Sequence, residues 1–479
     1  MTPLLTLITI LLYLALLFVV TRATSRSADN KAFFTGNRRT PAWVVATAMV
    51  GAPMTGVTFI SVPGMVGNSS FAYLQMVLGF IVGSMVIAYL LIPLYYKYRV
   101  TSLYEYLDSR FGVRSHRCGA WLFLVSKLMG TTLRTLVACL VIQQMLCKYI
   151  GGPFWATSAV FVLLTWLYTR QGGIGTVVWI DAVKTICMAV CVILCIVFVV
   201  RELGLSPIEA ATVASERGLS QTLFVGDWND SRHFVKMFFS GLFMIVAMTG
   251  LDQDMMQRAL SSRTQGAAQR NIIFASLLQT VIIALFLSLG AILYLYLADI
   301  GVTIEKSDEV FAFVATQSGM PAIISILLVL GVMAATFSAT GGALTALTTS
   351  FMVDIVRQKG ESVNLRKWIH LAIAVVLAAL IMAFDRWSND STINLVYRVA
   401  GYTYGPLLGL FAFGIATKRE VCDRGVPFVV VTSLLISLLL DIFSEQLFEG
   451  YNFGFEMLLI CAGITIVGLL AISSTNREK

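Results

Sequence analysis

Apolar runs long enough to cross a bilayer recur along almost the whole chain, separated by short polar stretches. A spanning helix takes about 20 mainly apolar residues. That ruler finds runs near 3 to 20, 41 to 66, 71 to 96, 118 to 146, 154 to 169, 173 to 200, 234 to 254, 271 to 298, 320 to 353, 368 to 384, 392 to 416, 424 to 441 and 453 to 472. The pattern predicts an all-α polytopic membrane protein of thirteen spans, organised as one domain over residues 1–479. Two longer polar segments, 201 to 232 and 299 to 318, lie between spans, and Pro207 to Glu216 reads as a short helix within the first of them. The segment 97 to 113 alternates aromatic with charged residues and is expected to lie along the cytoplasmic lipid interface.

Lysine and arginine in short loops mark the cytoplasmic side. One loop parity collects the groups around Arg22 to Arg39, Lys97 to Arg117, Arg170, Arg258 to Arg270, Arg357 to Lys367, Lys418 to Arg424 and Arg477 to Lys479. The other holds only Lys148, Arg201, Arg217, Arg232, Lys306 and Arg386. The N-terminus is therefore expected outside and the C-terminus in the cytoplasm, with the protein in the cell inner (plasma) membrane. Residues 3 to 20 read as a retained first span, since no basic residue precedes them and no clear small-residue cleavage site follows.

Composition agrees with the spans: 58% of the 479 residues are hydrophobic, 13% are charged, and mean hydropathy is +0.83. The net charge of +8 does not point to nucleic acid, because the basic residues punctuate apolar runs instead of clustering on a polar face. Cys187, Cys191 and Cys195 share an apolar helical face without histidine or carboxylate partners, which reads as packing and not as a metal site. His116, His233 and His370 sit at span boundaries and form no cluster, so nothing suggests an enzyme or an organic cofactor.

Helices broken in mid-membrane are the informative places, because unwound backbone offers carbonyls and helix ends to ions and solutes. Two spans have this character. Gly51-Ala-Pro-Met-Thr-Gly56 interrupts the second, and Met248-Thr-Gly-Leu-Asp-Gln-Asp254 interrupts the seventh. Met-Thr-Gly occurs in both, at 54 to 56 and 248 to 250, five spans apart, as expected of two repeats of opposite topology. Glycine used only for close helix packing is the competing reading.

Within the fourth span, Arg134 lies sixteen residues beyond Cys118. At about 1.5 Å per residue that depth is about 24 Å, near the membrane middle, where a guanidinium needs an anion and its planar fork matches a carboxylate. Either a bound solute or a protein carboxylate could supply it. Lys127, seven residues earlier, is expected on the same side as part of a cationic stripe. Thr55, Thr58, Ser61, Gln75 and Thr249 are candidate hydrogen-bonding residues for the same solute. Asp181 is a functional candidate because a carboxylate in lipid is expensive. A local pair with Lys184, three residues on, is its structural alternative.

The chain resembles the sodium:solute symporter family over roughly residues 41 to 420. The resemblance rests on Phe59-Ile-Ser-Val-Pro-Gly64, on Tyr168-Thr-Arg-Gln-Gly-Gly173 with Trp179-Ile-Asp181, on Asp252-Gln-Asp-Met-Met-Gln-Arg258, on the small-residue ninth span ending at Asp354, and on Tyr402-Thr-Tyr-Gly-Pro406. It implies a leucine-transporter-type fold, with residues 41–200 and 234–416 as inverted repeats of five spans each and with 3–20 and 424–472 peripheral. It also implies a sodium ion between the second and ninth spans. Its carbonyl ligands would be Gly51, Met54 and Ala335, its hydroxyl ligand Ser338, and Asp181 would stand on the ion pathway.

The family's usual pair of hydroxyls reads Ser338-Ala339 here, so one is missing; Thr340 or water could replace it. Gly341 and Gly342 stand where some relatives carry polar residues near a second ion. If the sodium shell is incomplete, Asp181 is also the candidate proton carrier. Relatives that import sialic acid carry an arginine for the sugar carboxylate in a place comparable to Arg134. The expected function is sodium-coupled import of a small organic solute, with a carboxylate such as sialic acid as a candidate. A proton-coupled or facilitative carrier of a sugar or amino acid is the alternative, and a non-transporting sensor is disfavoured because the chain ends at Lys479 without a further domain.

Overall fold

The computed structural model describes residues 3–24, 33–34, 40–98, 100, 102–143, 151–228, 230–316, 319–358, 362–385, 392–447, 453 and 456–474. The orientation markers Arg26, Lys31, Arg38, Arg39, Arg99, Lys148, Lys359, Arg386, Arg477 and Lys479 lie outside these residues.

The described residues form a helical bundle. Helix α1 is Pro3–Thr24, and a bent pair, α2 (Ala42–Gly51) and α3 (Gly56–Gly64), turns through 51°. Then come α4 (Tyr73–Tyr98), α5 (Glu105–Arg110), α6 (Val113–Ile142) and α7 (Phe154–Glu202). Helix α7 kinks at Gly173, whose φ of 56° suits a residue without a side chain. The expected boundary between the fifth and sixth spans falls there. Helix α8 (Pro207–Glu216) caps itself with a reciprocal Ser206–Glu209 bond pair and occupies the residues predicted for it.

A second bent pair follows, α9 (Phe234–Gly250) and α10 (Gln253–Leu260), turning through 69°. The rest are α11 (Gln265–Asp299), α12 (Val310–Thr316), α13 (Ala322–Ile355), α14 (Val363–Phe384), α15 (Thr392–Ala416), α16 (Val426–Ile442) and α17 (Met457–Ala471). Among the described residues eight helices are long and apolar enough to cross a membrane, or ten if each bent pair is one span, and α16 and α17 are shorter apolar helices.

Each break has a local cause. Pro53 has no N–H for the helical ladder, and Thr55, in extended conformation, restarts the chain by donating its N–H to Thr58 Oγ1 at 3.2 Å. At the second break a π-helical turn, Val246–Gly250, runs into Asp252, whose carboxylate caps α10 by accepting the Met255 N–H at 3.1 Å. Carbonyls freed in this way need donors in a dry interior. Tyr95 supplies one to Gly250 O at 2.8 Å, and Tyr104 one to Leu251 O at 3.0 Å.

Segment 97 to 113 packs largely against protein, more than a helix lying on a lipid surface requires. Val100, Ser102, Leu103, Tyr104, Tyr106 and Leu107 are buried against protein. Tyr104 packs on Phe123 and Tyr106 on Phe411. The Ser102 hydroxyl donates to Asp354 at 2.7 Å, and the Leu103 N–H donates to Gln253 Oε1 at 3.0 Å. An alternation of aromatic and charged residues fits a protein groove as well as a lipid interface, and here the aromatic side faces inward.

Candidate functional site

The two breaks face one cavity. Pro53, Met54 and Thr58 from the first and Met248, Thr249, Asp252 and Met255 from the second line it, together with Lys127, Gly130 and Arg134 of α6, Tyr73, Phe80, Gln279 and Tyr404. About 100 Å³ is open to water centres; one water needs about 10–15 Å³, so the space holds several waters or the reactive part of a small solute. A smaller cavity adjoins it, lined by Thr55, Lys127, Arg134, Thr135, Thr336, Ala339 and Thr340. Arg134 stands in the wall of both. It is half-buried and has no ion pair or hydrogen bond among the described residues. Of the two possible anions for Arg134, the protein carboxylate is thus not found.

Directly below runs a buried chain of charges. The Lys127 ammonium is 3.1 Å from Asp252 and 2.7 Å from Asp254. The Arg258 guanidinium bonds Asp254, four residues back on α10, and reaches Asp181 of α7 at 2.7 Å. Asp181 also pairs with Lys184 at 3.2 Å and accepts the hydroxyl proton of Ser338 from α13. Tyr404 donates to Asp252. Every charged member is more than nine-tenths buried, and cations and carboxylates balance three against three. Mutual pairing is what makes these ions tolerable out of water; among the described residues only Nη2 of Arg258 in this network is buried without a hydrogen-bond partner.

Two sequence expectations change here. Lys127 is held by two aspartates and does not extend a free cationic stripe from Arg134. Arg258, grouped with cytoplasmic loop charges, has no exposed surface and is the central clamp of the network. A Cβ built on Gly342 would overlap its guanidinium, so the glycine is what lets the arginine in. For Asp181, the local pair with Lys184 is present, joined by Arg258 and Ser338.

Of the residues named for the solute, Thr58, Arg134 and Thr249 line the main cavity and Thr55 the adjoining one. Gln75 and Ser61 are buried outside both. Gln75 donates to Arg232 O at 2.8 Å and accepts the Phe224 N–H at 3.2 Å, which ties the 201 to 232 segment to α4. Its polar atoms are spent on backbone. The Ser61 hydroxyl sits inside α3 without a hydrogen-bond partner among the described residues.

Of the residues named for sodium, the Gly51 carbonyl accepts the Met54 N–H at 2.9 Å. The Met54 carbonyl accepts the Lys184 ammonium at 3.2 Å. Ala335 and Ser338 are buried on α13, and the Ser338 hydroxyl donates to Asp181. Thr340 shares a hydrogen bond with Thr135 at 2.9 Å. The residues that sequence reasoning left out are Lys184 as a partner of Met54, Asp252 and Asp254 as partners of Lys127, and Tyr404. Their signal was available in part: Asp181 with Lys184 and Asp254 with Arg258 have the i, i+3 and i, i+4 spacings of facing helical pairs.

The sodium:solute symporter family model matches residues 33–425, and the chain belongs to this family. It is a transporter of the multi-pass helical membrane class and not an enzyme. It is similar to the sodium/sialic acid symporter SiaT of Proteus mirabilis, 24% identical over 461 residues, with 93% of this chain and 90% of the relative covered. It is also similar to the sodium/sialic acid symporter NanT of Aliivibrio fischeri, 23% identical over 461 residues, with 93% and 88% covered. The structure resembles the substrate-bound outward-open state of a Na+-coupled sialic acid symporter at a TM-score of 0.81 and 21% identity, covering 98% of this chain and 97% of the other. That likeness establishes the leucine-transporter-type fold.

Proposed function

We propose that this protein imports a small carboxylate-bearing solute together with sodium, by alternating access around the cavity between the two broken helices. The observation that carries the solute class is Arg134, a guanidinium at the cavity wall with no protein anion among the described residues. A buried guanidinium is expensive without a counter-charge, and a carboxylate satisfies its fork with two parallel hydrogen bonds. Thr58 and Thr249, which line the same cavity, are the proposed partners for hydroxyls of the solute. An acidic sugar such as sialic acid is the candidate, supported by the two bacterial relatives.

Sodium coupling is supported by the family and by those relatives. Gly51, Met54, Ala335 and Ser338 are the proposed ligands and Asp181 the proposed pathway residue. Coupling requires each ligand to prefer one of the two access states. The proposed frame is thirteen spans, with the N-terminus outside and the C-terminus in the cytoplasm of a plasma membrane. Residues 41–200 and 234–416 are its inverted repeats. A proton-coupled or facilitative carrier is the second reading, favoured by Ala339, which leaves the sodium shell one hydroxyl short.

Uptake of labelled sialic acid into proteoliposomes under an imposed sodium gradient tests the proposal, with proline and glucose as comparators and a proton gradient as the second arm. Sodium-driven accumulation of sialic acid alone is the expected result. Accumulation driven only by protons overturns the coupling ion, and accumulation of proline or glucose in its place overturns the solute class.

A further inference from the structure

We infer that Lys184 is a built-in competitor of the coupling cation: its ammonium occupies the carbonyl that sodium needs, so sodium loads at the α2–α13 position only by displacing it. This rests on the sodium reading above and concerns the ion site alone.

Four observations converge. The Lys184 ammonium lies 3.2 Å from the Met54 carbonyl, the one at the unwound turn, with no exposed surface. Its stem passes Gly51 so closely that a Cβ there would lie 3.1 Å from Lys184 Cε. The amine therefore runs alongside two of the four expected ligands. On the α13 side the hydroxyl ligands are reduced: Ala339 has no hydroxyl, Thr340 is engaged with Thr135, and Ser338 donates its proton to Asp181.

Charge completes the case. Lys127, Lys184 and Arg258 already balance Asp181, Asp252 and Asp254. An added sodium ion would leave the buried network positive, with Arg134 contributing a further positive charge nearby. Removing the Lys184 charge would leave it negative by one, a deficit that a small hard cation among oxygen ligands restores. At Gly341 and Gly342, also on α13, the Tyr168 hydroxyl and the Arg258 guanidinium take the space that side chains would fill.

The test is sodium-dependent thermal stabilisation of the purified full-length protein, which needs no solute. Wild type, Lys184→Ala and Lys184→Arg are each melted across a sodium chloride series at constant ionic strength set with choline chloride. A ligand that binds only the folded state stabilises it by RT ln(1 + [L]/Kd), so the melting temperature starts to climb with sodium once its concentration passes the dissociation constant. The expected result is an apparent sodium dissociation constant, fitted from the rise in melting temperature, at least about tenfold lower in Lys184→Ala than in wild type, and no such gain in Lys184→Arg, which keeps the competing charge.

If Lys184→Ala cannot be recovered, Lys184→Gln, which keeps an N–H for Met54 but no charge, should shift in the same direction. Equal apparent sodium dissociation constants in wild type and the neutral variants would overturn the competition while leaving sodium coupling intact. So would weaker binding after the charge is removed, because it would make Lys184 a helper of the ion. No sodium-specific shift in any of the proteins would overturn both this inference and the sodium reading.

Discussion

Arg134 and Arg258 are chemically identical groups in opposite circumstances. Arg258 has no exposed surface and divides its guanidinium between Asp254 and Asp181. Arg134 is half-buried at a cavity wall and meets no protein anion among the described residues. The first has its charge spent on holding α7 against α10; the second has its charge available. The contrast teaches that an arginine in an apolar chain becomes a ligand-binding candidate only once its partners are known, because depth in the membrane is similar evidence for either role.

The largest effect expected from breaking this contrast is at Arg258. Arg258→Leu takes one cation from the buried network, leaving its three carboxylates only Lys127 and Lys184 as counter-charges, and should cost about 3–5 kcal/mol. It should be read as a large loss of melting temperature and of monodisperse protein in size-exclusion chromatography. Next is Arg134→Ala, expected to reduce uptake of an acidic solute about 100-fold, in the range of about 2–5 kcal/mol for a buried charge partner, while the melting temperature stays close to wild type. Equal loss for acidic and neutral solutes would show that Arg134, like Arg258, is structural.

Gln75→Leu comes third. Loss of its bonds to Arg232 and Phe224 should cost about 1–3 kcal/mol and speed amide exchange in 221 to 234, with the solute KM unchanged. The smallest effect belongs to Thr249→Val, expected to raise the solute KM by about fivefold through loss of one neutral hydrogen bond, with kcat retained.

Much of the frame was legible because its causes are local. Pro53 and the flanking glycines announce the first break, and Pro207 to Glu216 announces α8. What escaped depends on which helices meet. Arg258 carries the same charge as a loop marker, and only the approach of α7 to α10 gives it Asp181. Lys127 was placed beside Arg134 correctly, but its neutralisation comes from the cap of a helix more than a hundred residues away. Gln75 has the polarity of a ligand-binding residue, and only the return of the 201 to 232 segment over α4 consumes it.

The inward-facing residues of segment 97 to 113 have a mechanical meaning. Ser102 holds the end of α13 through Asp354, Leu103 holds α10 through Gln253, and Tyr104 holds the turn before α10 through Leu251. Three successive residues thus act as a crossbar bolted to two different members of the bundle. Any sliding of those two members past each other has to break or exchange these bonds, so the crossbar ties their relative position to the conformation of a single short segment.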